Sequence, residues 1–298
     1  MDLPDANLVI RSSNLVNFHV HKSGLAVVSP FFKDLLSLPQ PSNSAKSADG
    51  LPVVQLSEDA ELLNSLVSML YPVRPVIPDF YDKVLYLLAA CQKYEMVQVQ
   101  LSIRAEVSCG SFPAPVGTEV FRAYAIASAK GLIPETENAA RLTLDHPMTF
   151  ESIGEGLRLF DGCALRDLAR FRKRCRDNLV TCLKSFLEVN AQGPSYIWVG
   201  CQGVKRTTSF STTPTTPPVL PGWLHRVLSR NNDHLKLQVF TKPLTSPSSI
   251  REEYLTAIQT HTGCTFCSQV YIVNGSTFCA ELGSKLAQAR DKVHTFFL

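Results

Sequence analysis

Leu8-Val-Ile-Arg-Ser-Ser-Asn-Leu-Val-Asn-Phe-His-Val20 is the stretch on which the fold turns. Its apolar opening, Leu8 to Arg11, breaks at Ser12-Ser13-Asn14, a cluster of turn-forming residues. Val16, Phe18 and Val20 then alternate with Asn17, His19 and His21, the two-residue period of a half-buried strand. Together the halves predict a β-hairpin. Further along, Pro30 suits a first helical turn and opens Phe31-Phe32-Lys-Asp-Leu-Leu, a short helix offering two aromatics to a core. Pro39 to Gly50 is rich in Pro, Ser and Asn and reads as an exposed loop. Val53-Val-Gln-Leu returns as a strand. Ser57-Glu58-Asp59 supplies capping groups and early negative charge to a helix with Leu62, Leu63, Leu66, Val67 and Leu70 on one stripe. A further helix, from about Asp79 to Tyr94, is apolar nearly all round at Val84, Leu85, Leu87, Leu88, Ala89 and Ala90, as an interior helix must be.

These words and their order resemble the BTB/POZ family. The resemblance rests on Phe18-His-Val20-His21-Lys22, Leu25-Ala-Val-Val-Ser29-Pro-Phe-Phe32, Leu56-Ser-Glu-Asp59, Leu70-Tyr-Pro72 and Ala89-Ala-Cys-Gln-Lys93-Tyr-Glu-Met96, all in sequence over residues 5–96. The phrasing is closest to the lineage-expanded BTB proteins of fungi, and Phe171-Arg-Lys-Arg-Cys175 and Phe278-Cys-Ala-Glu-Leu282 are similar to the same group. The resemblance implies an α+β BTB/POZ fold, a small sheet with helices, over residues 3–100, followed by a mainly α-helical region. It implies binding through a sheet edge and helix grooves, to another protein or to a second copy. Asn7 stands where relatives often carry Asp. Only about six residues precede the hairpin, spanning about 20 Å, so the strand-swapped homodimer of relatives is not expected.

The remainder predicts a helical region over 101–201, a Pro/Thr-rich linker over 202–221 and a short, mainly helical C-terminal region over 222–298. In the first, Val116–Ala129 has helical spacing with Gly131 as its stop, Pro134 opens a helix, and Thr149–Leu157 and Leu165–Val189 give two more. The linker, with Thr207-Thr-Ser-Phe-Ser-Thr-Thr-Pro-Thr-Thr-Pro-Pro, lacks the apolar residues for a core. In the last, Phe278, Leu282, Leu286, Ala289 and Val293 share a stripe.

The 298 residues exceed a usual single domain of roughly 100–200, which predicts two or three packed units. A formal charge of +3 does not by itself call for a polyanionic partner. Residues 1–100 hold 7 Lys+Arg against 10 Asp+Glu, so any basic surface is expected beyond them. The start has neither the basic segment nor the apolar stretch of a secretory signal, and no window approaches the roughly 20 apolar residues of a spanning helix. Nine unpatterned cysteines fit reduced thiols, so an intracellular protein, cytoplasmic or nuclear, with no membrane association is expected.

No glycine-rich phosphate loop, nucleophile elbow, kinase set or paired-histidine metalloprotease motif is present. The chain is therefore expected not to be an enzyme, with no catalytic residue, no cofactor and no metal, and no residue is assigned to partner binding. His261, Cys264, Cys267 and Cys279 have the chemistry of a structural zinc set. With one C-x-x-C pair, small buried cysteines are the preferred reading. Arg166, Arg170, Arg172, Lys173, Arg174 and Arg176 could meet phosphates. They read better as the solvated face of a helix whose Leu165, Leu168 and Phe171 face inward. His21 is expected as a satisfied core histidine and His19 as exposed, rather than as a metal pair. Thr213-Pro and Thr216-Pro are candidate phosphorylation sites. The expected function is a protein-interaction scaffold. One alternative is a cullin-type ubiquitin ligase adaptor, although the Leu38–Gly50 stretch has no Glu for the adaptors' hydrophobic-x-Glu motif. The other is a nucleic-acid-associated regulator.

Overall fold

Three consecutive apolar residues leave β1 (Leu8–Arg11) no face for water: Leu8, Val9 and Ile10 are all buried. Such a run suits the middle of a sheet, and in the computed structural model the strand order is β2-β1-β3. The model describes residues 5–38, 47, 49–71, 75–192 and 280–293. β2 (Asn17–Val20) runs antiparallel to β1, pairing Leu8 with Val20 and Ile10 with Phe18. β3 (Val53–Gln55) runs parallel to it, pairing Val9 with Val53. The hairpin turn closes on Ser12, whose amide donates to Val16 O at 2.9 Å and whose hydroxyl accepts from Val16 N at 2.9 Å. Val16 thus lies in the turn and is 43% exposed; the expected alternation holds from Phe18 onward.

A parallel pair needs a crossover, which α1 (Lys22–Val28) and α2 (Pro30–Ser37) supply. Ser29 separates them. Its hydroxyl caps α2 by accepting from Phe32 N at 3.0 Å, and donates to Tyr94 O at 2.6 Å. Only one of the two expected core aromatics is fully inside: Phe32 is buried and Phe31 is 37% exposed, since neighbours on a helix point about 100° apart. α3 (Ala60–Ser68) starts on Asp59, whose carboxylate accepts from Leu62 N at 2.8 Å. α4 (Tyr81–Lys93) buries Val84, Leu85, Leu87, Leu88 and Ala90, and packs on α3, α5 (Val97–Ser108) and α6 (Glu119–Ala129). The expected domain boundary at residue 100 falls inside α5. Gly131 ends α6 at φ +65°, a left-handed stop that glycine adopts without strain. Arg104 on α5 clamps the buried Glu135 of α7 (Ile133–Leu142) with two bonds, 2.7 and 3.1 Å. Burial, with the charge of Glu135, pushes the Tyr81 phenol up to about 12.

The chain divides into two compact units, residues 1–139 with 158–160 and residues 140–157 with 161–298. In the second, the helix expected over 149–157 lasts one turn, α8 (Phe150–Ile153), because Gly154 sits at φ +51° and a 3-10 segment follows. α9 (Gly162–Gln192) is capped by Asp161, whose carboxylate accepts from Ala164 N at 2.6 Å. It buries Ala164, Leu168, Phe171, Cys175, Leu179, Leu183 and Phe186 as one stripe. α10 (residues 280–291) buries Leu282, Leu286 and Ala289. Asn178 donates to Ala289 O at 2.5 Å and Cys182 to Lys285 O at 3.6 Å, so α9 and α10 run antiparallel.

Candidate interaction surface

Two of the sequence words quoted above meet in space. Tyr94 Oη, at the end of α4, donates to the Glu58 carboxylate, and Lys93 Nζ donates to Glu58 at 2.9 Å and to Ser57 Oγ at 2.6 Å. Burial acts to raise the Glu58 carboxyl, but the bonds from Tyr94 and Lys93 outweigh it and hold the group below its usual range. The Tyr94 phenol is pushed up, by burial first and then by Glu58. The Tyr94 ring packs 5.0 Å from Phe32 and 5.4 Å from Phe31. The hairpin turn joins the same knot: Ser13 N donates to Glu58 O at 2.8 Å, and Asn14 Oδ1 accepts from Ala60 N at 2.9 Å. Asn7 Oδ1 accepts from Lys22 N at 2.8 Å at the start of α1, so the amide supplies the acceptor there without a carboxylate's charge.

Residues 2–108 match the family model of the BTB/POZ domain. This segment is a BTB/POZ domain. No curated protein matches the chain at a significant level. BTB/POZ domains are protein–protein interaction modules, not catalytic ones. Four large apolar side chains of this BTB/POZ domain face outward on three of its helices. On α1 and α2, Val27 is 85% and Phe31 37% exposed; on α5, which touches α1, Val97 is 57% and Leu101 50% exposed. Sequence reasoning assigned none of these residues to binding and offered Phe31 to the core. A signal was present: Val97-Gln-Val-Gln-Leu-Ser-Ile alternates with period two, and a helix must split such a set between two faces. Val99 and Ile103 go to the core, which leaves Val97 and Leu101 outside.

His19 and His21 are both half-buried, which corrects the core and exposed assignments; His19 Nε2 lies 3.5 Å from Asp49, and His21 N donates to Tyr71 Oη at 3.0 Å. Among the described residues no group of three or more His, Cys, Asp or Glu is placed to hold a metal. No helix among them is long and apolar enough to cross a membrane. The basic run on α9 is not wholly a solvated face. Arg166 pairs with Asp167 at 2.9 Å and Arg176 with Asp177 at 3.0 Å, but Arg172 is buried. Its guanidinium donates to Thr143 O, and to His146 O at 2.8 Å, satisfying carbonyls left over where the turn after α7 ends. Burial drags its pKa down to about 10. His261, Cys264, Cys267, Cys279, Thr213, Thr216 and the 202–221 linker lie outside the described residues.

Proposed function

We propose that this protein is an intracellular interaction scaffold, cytoplasmic or nuclear, whose BTB/POZ domain carries a protein partner on the α1–α2–α5 face, and that it is not an enzyme. The observation that supports the reading is the exposure of Val27 on α1, Phe31 on α2, and Val97 and Leu101 on α5, with α1 touching both of the other helices, in a module of known binding type. Apolar side chains gathered on a surface mark an interaction site. Among the described residues the five cysteines, Cys91, Cys109, Cys163, Cys175 and Cys182, are free thiols, which supports a reducing compartment. Kinship with the lineage-expanded fungal BTB proteins belongs to the same proposal and rests on the phrasing of the words over residues 5–96, with those at Phe171–Cys175 and Phe278–Leu282 as a much less specific match.

The test compares the tagged full chain with its Val27→Asp/Leu101→Asp variant, in pull-downs read by mass spectrometry and in light scattering. Both side chains are at least half exposed, so the variant is expected to fold. The wild-type chain is expected to retain a protein, or a second copy of itself, that the variant releases. An unchanged set of bound proteins and an unchanged mass would count against this face. Cullin chains among the released proteins would make the scaffold a ligase adaptor, and chromatin proteins a nucleic-acid-associated regulator.

A further inference from the structure

The BTB/POZ domain holds a second binding feature. A groove of about 490 Å³ opens between the end of α3, the 75–77 segment and α5. Its apolar lining is Met69, Tyr71, Ile77, Val99, Ile103 and Phe112. Val99, Ile103 and Phe112 are buried, whereas Ile77 is 42% exposed. The walls are pinned by hydrogen bonds. The fully buried Ser68 accepts from Val76 N at 2.9 Å and donates to Ser65 O at 2.8 Å, and Tyr71 Oη accepts from His21 N at 3.0 Å. A preformed cleft of this size takes one or two large apolar side chains without the cost of ordering its walls first.

Charge says what should accompany them. Glu106 lines the same groove, on the α5 face that carries Ser102 and Ile103. Among the described residues no cation and no hydrogen-bond donor reaches its carboxylate. Glu58, Glu61, Asp82 and Glu135 each hold a Lys or Arg. A carboxylate with no partner among the described residues, beside an apolar cleft, complements a cation on an incoming chain. We propose that this groove docks a short segment of a protein partner that presents a large apolar side chain with a Lys or Arg roughly one helical turn from it. The proposal rests on the scaffold reading in that the occupant is a protein. It names that occupant's chemistry at residues other than Val27 and Leu101.

The probes are two fluorescein-labelled twelve-residue peptides titrated into the full chain by anisotropy. One carries Leu-Trp followed by Arg three and four residues on; its twin has Glu in place of each Arg. The Arg peptide is expected to bind, and the Glu twin to bind about two- to five-fold more weakly per charge. Glu106→Lys should invert that preference. Ser102→Trp, at an exposed position on the groove wall, should abolish binding of both peptides. No binding of the Arg peptide, binding indifferent to Ser102→Trp, or a preference that survives Glu106→Lys would each overturn the proposal. Val27→Asp/Leu101→Asp should leave peptide binding unchanged. Failure of the α1–α2–α5 face is therefore read separately, in the pull-down.

Discussion

Tyr94→Phe deletes one hydroxyl and leaves the ring packed against Phe31 and Phe32. What it removes is a hydrogen bond to an ionised acceptor, Glu58, whose side chain is only 10% exposed. A bond of that kind contributes about 1.5–3 kcal/mol. Lys93 remains at 2.9 Å, but its side chain is 48% exposed, so its pairing is worth at most about 1 kcal/mol. Tyr94→Phe is therefore expected to cost about 1.5–3 kcal/mol, and Lys93→Met less than about 1 kcal/mol. In a Glu58→Gln background the hydroxyl keeps a neutral acceptor worth about 0.5–1.5 kcal/mol, so the double-mutant cycle should return a coupling of about 1 kcal/mol or more. The pH dependence has a definite sign. The folded-state pKa of Glu58 lies below its unfolded value of about 4.5, so its stabilisation is fully present above that pH and is lost as pH falls through the lower folded value. Without the Tyr94 bond, burial meets less opposition and the loss begins at higher pH. Hydrogen exchange by mass spectrometry on the full chain reads the local opening at residues 57–66 and 88–96, which suits a protein of two units better than a global melt. A cost below about 0.5 kcal/mol, or the same cost with and without the Glu58 charge, would refute the reasoning.

Ser29→Ala leaves Tyr94 O and Phe32 N without their buried partner and is expected to cost about 1–3 kcal/mol, read as faster exchange across α2; unchanged exchange would mean that another group satisfies them. Arg172→Ala strips two carbonyls of their donor and should cost about 2–5 kcal/mol, visible as opening of residues 140–147, with Arg172→Lys rescuing only in part. Iodoacetamide at pH 8 should label the exposed Cys109 and Cys163. It should spare Cys91 and Cys175, which burial pushes up to about 12 and about 11, until the chain is denatured. The chain is expected to purify with well under one zinc per molecule. Elemental analysis finding one tightly held zinc, released by Cys264→Ser, would reverse that reading of His261, Cys264, Cys267 and Cys279.

By itself the sequence determined what depends on neighbours within a turn or two. The alternation at Phe18 and Val20, the Asp59 cap, Pro30 opening α2 and Gly131 closing α6 were all legible, because strand period, capping and left-handed backbone are set by adjacent residues. Their order was enough to carry the BTB/POZ resemblance. Tertiary structure decided what depends on residues far along the chain. Glu58 and Tyr94 are 36 positions apart, and Arg172 and Thr143 are 29 apart; neither pairing leaves a mark on the local pattern. Arg172 therefore read as one more surface cation, although it satisfies buried carbonyls. Only packing could place Phe32 inside and Phe31 at the surface. In α5, helix geometry turned one alternating stretch into a buried pair, Val99 and Ile103, and an exposed pair, Val97 and Leu101. The proposed binding face lies on this second side of the division. A periodic pattern says how a segment repeats, and the neighbours it packs against choose which repeat is left for a partner.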